Sequence, residues 1–304
     1  MSELKENLGD VRLSYSSLGT LQTCEQKFAH YKIYKTDKDP DYEESEALGI
    51  GKAFHQVLEV TNHKKVVNKH VDQALMDHGV KKHHKCLVIA MAMQAVALNE
   101  ASGLEIVYCE FEISHGDYVG YIDAIGKDKF GNWWIIDLKS AGKYDAKILP
   151  RLPLDLQLNL YTYFKDHIGS ALGLDPAKFA GCKYRQITKS KASQQDNESD
   201  AEYIKRLITP KMSYGKFQAP VEARDFTVPF FTMRPGMAWS IIQENLIRAR
   251  EIQQGEAPKR NYKSCLDFFK PCEYFSQCHG HTFTDGSQFV KVNTTKSYIA
   301  KDVL

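Results

Sequence analysis

The segment Gly131–Lys143 reads GNWWIIDLKSAGK. A Gly-Asn turn signal opens it, the apolar run Trp133–Ile136 follows, and the run breaks off at Asp137 with Lys139 two positions on. A short apolar run bounded by turn residues reads as a strand buried on both faces. Side chains alternate along a strand, so Asp137 and Lys139 point to the same side. Buried strands rarely end in a carboxylate and an ammonium together, and this pair governs how the flanking sequence is read.

On the N-terminal side, GLEIVYCEFEISHGDYVGYIDAIGKDKF (103–130) alternates polar with β-branched and aromatic residues. With the turn signals SHGD and KDKFGN, it predicts three consecutive antiparallel strands. A hairpin centred on Phe130 sets Asp123 opposite Asp137 and Tyr121 opposite Lys139. Carboxylates facing each other across a hairpin repel, so the arrangement calls for a cation between them. Oxygen ligation with open water positions suits Mg²⁺ or Mn²⁺, which can acidify a bound water and stabilise charge on a phosphoryl oxygen. Lys139 can orient that water or offset the developing charge. An isolated Asp-x-Lys is ordinarily a surface ion pair of little value, so the surrounding motifs have to carry the reading.

Helical periodicity predicts helices within 14–35, 48–65 and 71–101, and a further one in LPLDLQLNLYTYFKDHIGSALGL (152–174). His55 and Glu59 share one helical face, as do Gln157 and Tyr161, by their four-residue spacing. A strand is expected in KFAGCKYRQITKS (178–190), a short one in DFTVPFFTM (225–233), and an amphipathic helix in 236–255. No repeat or linker interrupts the pattern. We read residues 1–304 as a single α/β (α+β) domain with a mixed central sheet flanked by helices. A helical insertion occupies 60–105, a cysteine-rich closure 256–280, and a C-terminal tail 281–304.

The chain of 304 residues with 43% hydrophobic content can bury a proper core. Its formal net charge of +2 leaves any polyanion to be met by local basic patches. No window approaches the roughly eighteen uninterrupted apolar residues of a membrane span, and the N-terminus is polar, so the expectation is a cytoplasmic protein without a membrane partner. No Gly-x-x-x-x-Gly-Lys-Ser/Thr motif is present, so the chain carries no helicase motor.

The succession GKAFH, GYIDAIG, WWIIDLKS and LQLNLY resembles the ordered motifs of PD-(D/E)XK nucleases of the RecB/AddB type, a family with a restriction-endonuclease-like core. The matching residues are Gly51 with His55, Gly120 with Asp123, Asp137 with Lys139, and Gln157 with Tyr161. The resemblance spans roughly residues 10–280. It implies that His55, Asp123 and Asp137 hold the metal, that Lys139 serves the attacking water, and that Gln157 and Tyr161 position DNA. It also implies a glutamate on the strand before Asp123, either Glu110 or Glu112.

Seven cysteines are unevenly placed: Cys24 near the start, Cys86, Cys109 and Cys182 scattered, and Cys265, Cys272 and Cys278 crowded near the end. In a cytosolic chain the crowding reads as metal ligation before disulfides. The family includes a subset in which three C-terminal cysteines join an N-terminal one around a [4Fe–4S] cluster, and Cys24 stands at the matching place. A Cys₄ zinc site is the chemical rival. Cys86, Cys109 and Cys182 read as core residues.

The resemblance implies a Mg²⁺- or Mn²⁺-dependent deoxyribonuclease, an exonuclease before an endonuclease. It would process DNA ends in recombination, replication or repair, in a phage or CRISPR-adaptation setting inside a bacterial or phage-infected cell. Its partners would be DNA and a separate helicase, recombinase or single-strand-binding protein, and an oligomer is compatible with the sequence. The competing reading is a non-catalytic or partner-dependent DNA-end-binding subunit. Lys143, Lys147, Arg151, Lys183, Arg185, Lys189, Lys191, Lys259, Arg260 and Lys263, with Tyr144 and Tyr184, could form a groove along a phosphate backbone.

Overall fold

The structure is a computed structural model that describes residues 11–40, 42–144, 146–209, 211–213, 216–218, 220–267, 270–279, 281–284 and 288–291. The expected tail lies outside the described residues from 292 onward. The longer helices are α1 (Tyr15–Thr23), α2 (Glu46–Val60), α3 (Asn68–Asp77), α4 (Lys85–Ser102), α5 (Leu156–Tyr163), α6 (Lys165–Leu172), α7 (Asp200–Ile208) and α8 (Pro235–Gln253). Side-chain caps start several of them: the Ser14, Ser45, Asp155 and Ser199 oxygens accept backbone N–H groups of α1, α2, α5 and α7. Gly103, at φ +61, closes α4 in the left-handed conformation that a Cβ disfavours.

Five strands form one sheet in sequence order: β1 (Leu104–His115), β2 (Tyr118–Asp128), β3 (Trp133–Ala141), β4 (Phe179–Thr188) and β5 (Ala223–Pro229). The β2–β3 and β4–β5 pairs are antiparallel and β3–β4 is parallel, so the sheet is mixed. A parallel neighbour needs a crossover, and the stretch holding α5 and α6 supplies it. β2 and β3 pair as Gly126↔Trp134 and Ala124↔Ile136, the register of a hairpin centred on Phe130. Trp133, Ile135, Ile136, Asp137 and Leu138 are all buried, as expected for a strand with neighbours on both sides and helices over its faces.

The chain forms two compact units interleaved along the sequence. One comprises 44–114 and 120–240. Its core joins Ala53, Phe54, Val57 and Leu58 of α2, Val71, Ala74 and Leu75 of α3, and Leu87–Ala92 of α4 to Ile136, Leu138 and Ile187 of the sheet. Each Val, Leu, Ile, Phe or Met side chain among these, fully buried, contributes about 1.5–3 kcal/mol. Helices α3 and α4, from the 60–105 stretch, therefore pack into the same core as the strands.

The other unit comprises 1–43, 115–119 and 241–304. Leu18, Leu21, Phe28, Ile33, Tyr274 and Phe275 are buried there, and His30 stacks on Tyr274 with ring centroids 5.4 Å apart. Its sequence-distant segments are stitched by polar contacts. Arg248 grips the Glu25 carboxylate, Gln26 N donates to Lys259 O, and Asn261 Nδ2 donates to Thr23 O. No helix among the described residues is long and apolar enough to cross a membrane.

Candidate active site

The acidic residues sit where the β2–β3 pairing ends. Beyond Ala124↔Ile136 the Leu138 amide donates to Asp123 Oδ2 at 2.6 Å, so a side chain receives a hydrogen bond at the end of the ladder. Asp123 Oδ1 faces His55 Nδ1 at 3.3 Å. Helix α2 brings that histidine, and its close approach to β3 depends on Gly51: a Cβ there would stand 2.8 Å from Ser140 Oγ. The Gly-x-x-x-His spacing thus has a local cause. Glycine meets the strand, and one turn later the imidazole meets Asp123.

Glu110 completes this group. His55, Glu110 and Asp123 each offer a ligand atom, and these atoms lie within 4.8 Å of one another. Glu110 has φ +48, a left-handed conformation that costs a non-glycine residue about 1–3 kcal/mol and concentrates at functional sites. Burial pushes its carboxyl up to about 7, with Asp123 and Glu59 adding to the shift. Asp123 is held below its ordinary value because His55, Lys139 and the Leu138 amide outweigh its own burial. Burial works against the His55 imidazolium, but the hydrogen bond and charge of Asp123 prevail and raise it. A carboxyl that resists ionisation beside an ionised one, in the absence of added positive charge, is a fit for a bound cation.

Asp137 is only 1% exposed, and burial foremost pushes its carboxyl up to about 7. Lys139 Nζ donates to Asp137 Oδ1 at 2.9 Å and to Gln157 Oε1 at 3.0 Å. Gln157 Nε2 donates onward to the Tyr161 hydroxyl at 2.7 Å, which donates to the Tyr121 carbonyl of β2 at 2.9 Å. A relay from α5 therefore fixes the lysine head. Burial opposes the Lys139 charge, yet Asp137 and Asp123 raise its pKa, so it stays an ammonium.

Several expectations change in three dimensions. Glu110, not Glu112, joins His55 and Asp123, while Glu112 accepts from the Tyr121 hydroxyl at 3.2 Å in an exposed position. Asp137 stands outside the three-residue ligand group and is engaged by Lys139. Tyr161 is 1% exposed with its hydroxyl used on both sides, so it holds Gln157 in place and cannot reach DNA. Arg185 is fully buried, gripping Asp225 with two bonds and donating to Asn99 Oδ1, which removes it from any surface groove. Lys189 Nζ donates to Ala47 O at 2.6 Å, and Lys183 lies over the Trp134 ring, so these too are engaged within the fold. The sequence reading missed the Leu138 amide and the Tyr121 carbonyl, since backbone groups leave no residue-type signal.

Cys86 and Cys182 are buried and Cys109 packs against the core, as expected. In the other unit Cys24, Cys265, Cys272 and Cys278 gather. Burial foremost pushes the Cys278 thiol up to about 12, and Cys272, Cys24 and Cys265 all add to that shift. Cys272 N donates to Cys265 O, and Asn261 links their segment to Thr23, the neighbour of Cys24.

Among solved structures, a candidate exonuclease from Eubacterium rectale matches over 94% of this chain and 93% of its own, at 15% identity and a TM-score of 0.48. The protein SSO0001 matches over 81% and 85%, at 9% identity and a TM-score of 0.26. At these values neither similarity bears on activity. No curated protein matches the chain. The PD-(D/E)XK nuclease superfamily profile matches residues 12–279, which contain His55, Glu110, Asp123, Asp137, Lys139, Gln157 and Tyr161, and the chain belongs to that superfamily.

Proposed function

We propose that this chain is a divalent-metal-dependent deoxyribonuclease that hydrolyses phosphodiester bonds at DNA ends, as an exonuclease acting in recombination, replication or repair. The observation that carries this reading is the convergence of His55, Glu110 and Asp123 beside a lysine fixed between Asp137 and Gln157. A purely DNA-binding scaffold has no use for buried carboxyls pushed up to about 7 or for the left-handed backbone at Glu110.

His55, Glu110 and Asp123 would hold the ion, with Asp137 flanking it; two carboxylates and one imidazole suit Mn²⁺ or Mg²⁺. Such an ion, when bound, lowers the pKa of water and stabilises charge on a phosphoryl oxygen. Lys139, an ammonium at neutral pH with two of its three N–H groups given to Asp137 and Gln157, would use the third to orient the attacking water or to offset charge on a non-bridging phosphate oxygen. Asp137 and Gln157 aim it, and Tyr161 holds Gln157 from behind. Lys143, Lys147 and Lys191 remain candidates to steer the phosphate backbone toward the site.

Cys24, Cys265, Cys272 and Cys278 would hold a [4Fe–4S] cluster, with Zn²⁺ as the alternative occupant. Iron and acid-labile sulfide analysis of anaerobically purified protein reads the cluster directly. Its role would be to join the two chain ends of its unit.

The function is tested by digesting an end-labelled linear duplex and a covalently closed circle with Mn²⁺, Mg²⁺ or EDTA, beside Lys139→Ala. Metal-dependent loss of the linear DNA alone is expected, falling about 10²–10³-fold in Lys139→Ala while DNA binding survives. Cutting of the circle would make the enzyme an endonuclease. Absence of cutting by wild type, with DNA binding intact, would refute intrinsic catalysis and favour the DNA-end-binding subunit.

A further inference from the structure

Away from the catalytic residues, a second set of metal-type donors comes together. Glu46, His83 and His84 each present a ligand atom, and these atoms lie within 4.8 Å of one another. Glu46 is the first residue of α2, and the two histidines occupy the 3₁₀ turn Lys82–His84 that leads into α4. The backbone builds this meeting. At Gly49 of α2 a Cβ would stand 3.1 Å from Val80 Cγ2 and 3.3 Å from the His78 carbonyl. Glycine lets the chain entering the turn lie against the start of α2, and the imidazoles then arrive over Glu46.

The contacts in the cluster are close: the buried His84 Nε2 lies 3.0 Å from Glu46 Oε1. The His83 and His84 rings stand 3.9 Å apart, tilted by 51°.

We propose that Glu46, His83 and His84 bind one Zn²⁺ ion. Two imidazoles and a carboxylate with a fourth position for water are a zinc donor set, and imidazole ligation selects zinc over Mg²⁺. Zinc bonds of about 2.0–2.1 Å place tetrahedral donors about 3.3 Å apart. The His84–Glu46 pair is already near that spacing, and modest side-chain rotation brings His83 in. Lys81, which approaches Glu46 at 3.6 Å from an exposed position, is the cation the ion displaces. Bound zinc pins the first turn of α2, the helix that carries Gly51 and His55, to the turn before α4. This site stands independently of the nuclease reading.

The test is a Zn²⁺ titration of the full-length protein by calorimetry and equilibrium dialysis, in an Asp123→Asn background that removes a carboxylate ligand from the group around His55. A Cys272→Ser background separates thiolate binding. About one equivalent of Zn²⁺ is expected in that background, lost in His83→Asn/His84→Asn and in Glu46→Gln, with a zinc-dependent rise in melting temperature lost in parallel. Co²⁺ as the stand-in should give visible d–d bands without thiolate charge-transfer absorption. Equal zinc stoichiometry in the folded histidine variant, confirmed by circular dichroism, would overturn the proposal. So would loss of the equivalent in Cys272→Ser, and Glu46→Gln keeps both imidazoles in place should the double variant fail to fold.

Discussion

Replacing Tyr161 by phenylalanine removes one oxygen from a side chain that is 1% exposed, and with it two hydrogen bonds of 2.7 and 2.9 Å. The Tyr121 carbonyl and one Gln157 N–H lose this contact. Gln157 is half-buried and Tyr121 half-exposed, so water can reach both, and the cost is close to the net value of two hydrogen bonds, about 1–3 kcal/mol. For a unit of about two hundred residues each kcal/mol shifts the melting temperature by about 2–4 °C, so the variant should melt about 2–12 °C lower. The kinetic effect follows from the next link. Gln157 Oε1 accepts from Lys139 Nζ at 3.0 Å, and once Gln157 is free to turn, only Asp137 still aims the ammonium. Loose positioning of a group that acts in the transition state should lower kcat about 10–100-fold with KM unchanged. Single-turnover cleavage in Mn²⁺ and urea denaturation measure the two effects. Gln157→Met should reproduce the kinetic loss, and the double variant should lose little more, since both break one relay. If Tyr161→Phe melts early but cleaves at the wild-type rate, the relay is core packing and the positioning argument fails.

Two further predictions test other parts of the fold. Asp225→Asn leaves the fully buried Arg185 charge without its carboxylate partner, and should cost about 3–5 kcal/mol in urea unfolding, whereas a loss below 1 kcal/mol would mean the pair behaves as an exposed one. Cys272→Ser should bleach the anaerobically purified protein, lower its iron content and reduce its melting temperature; unchanged iron would exclude this cysteine as a ligand.

The legible features were those that depend on neighbours in sequence. The β2–β3 register follows from a turn and a period of two, so Gly126↔Trp134 and the meeting of Asp123 with the end of β3 were readable from the chain. The four-residue spacing of Gln157 and Tyr161 likewise showed a shared face. Which way that face points was not readable, because the Tyr161 hydroxyl ends on a carbonyl forty residues away. The choice between Glu110 and Glu112 depends on where α2 delivers His55, again a long-range fact. Arg185 illustrates the limit most clearly. A cation beside other cations reads as surface, yet its partners Asp225 and Asn99 lie 40 and 86 residues off and draw it into the core.

Asp123 links these levels in one side chain. One of its oxygens takes the Leu138 amide where the β2–β3 ladder ends, and the other faces His55. The first bond fixes the carboxylate on the strand that bears Asp137 and Lys139, so the distance between the ion site and the lysine is set by strand pairing itself. A loop-borne ligand would leave that distance to fluctuate. The left-handed backbone at Glu110 fits the same logic, since a strained residue persists only where the surroundings over-determine it, and a five-stranded sheet with α2 packed against it provides that constraint. The sheet therefore does more than carry the site. Its pairing pattern measures out the positions at which a cation, a water and a phosphate would meet.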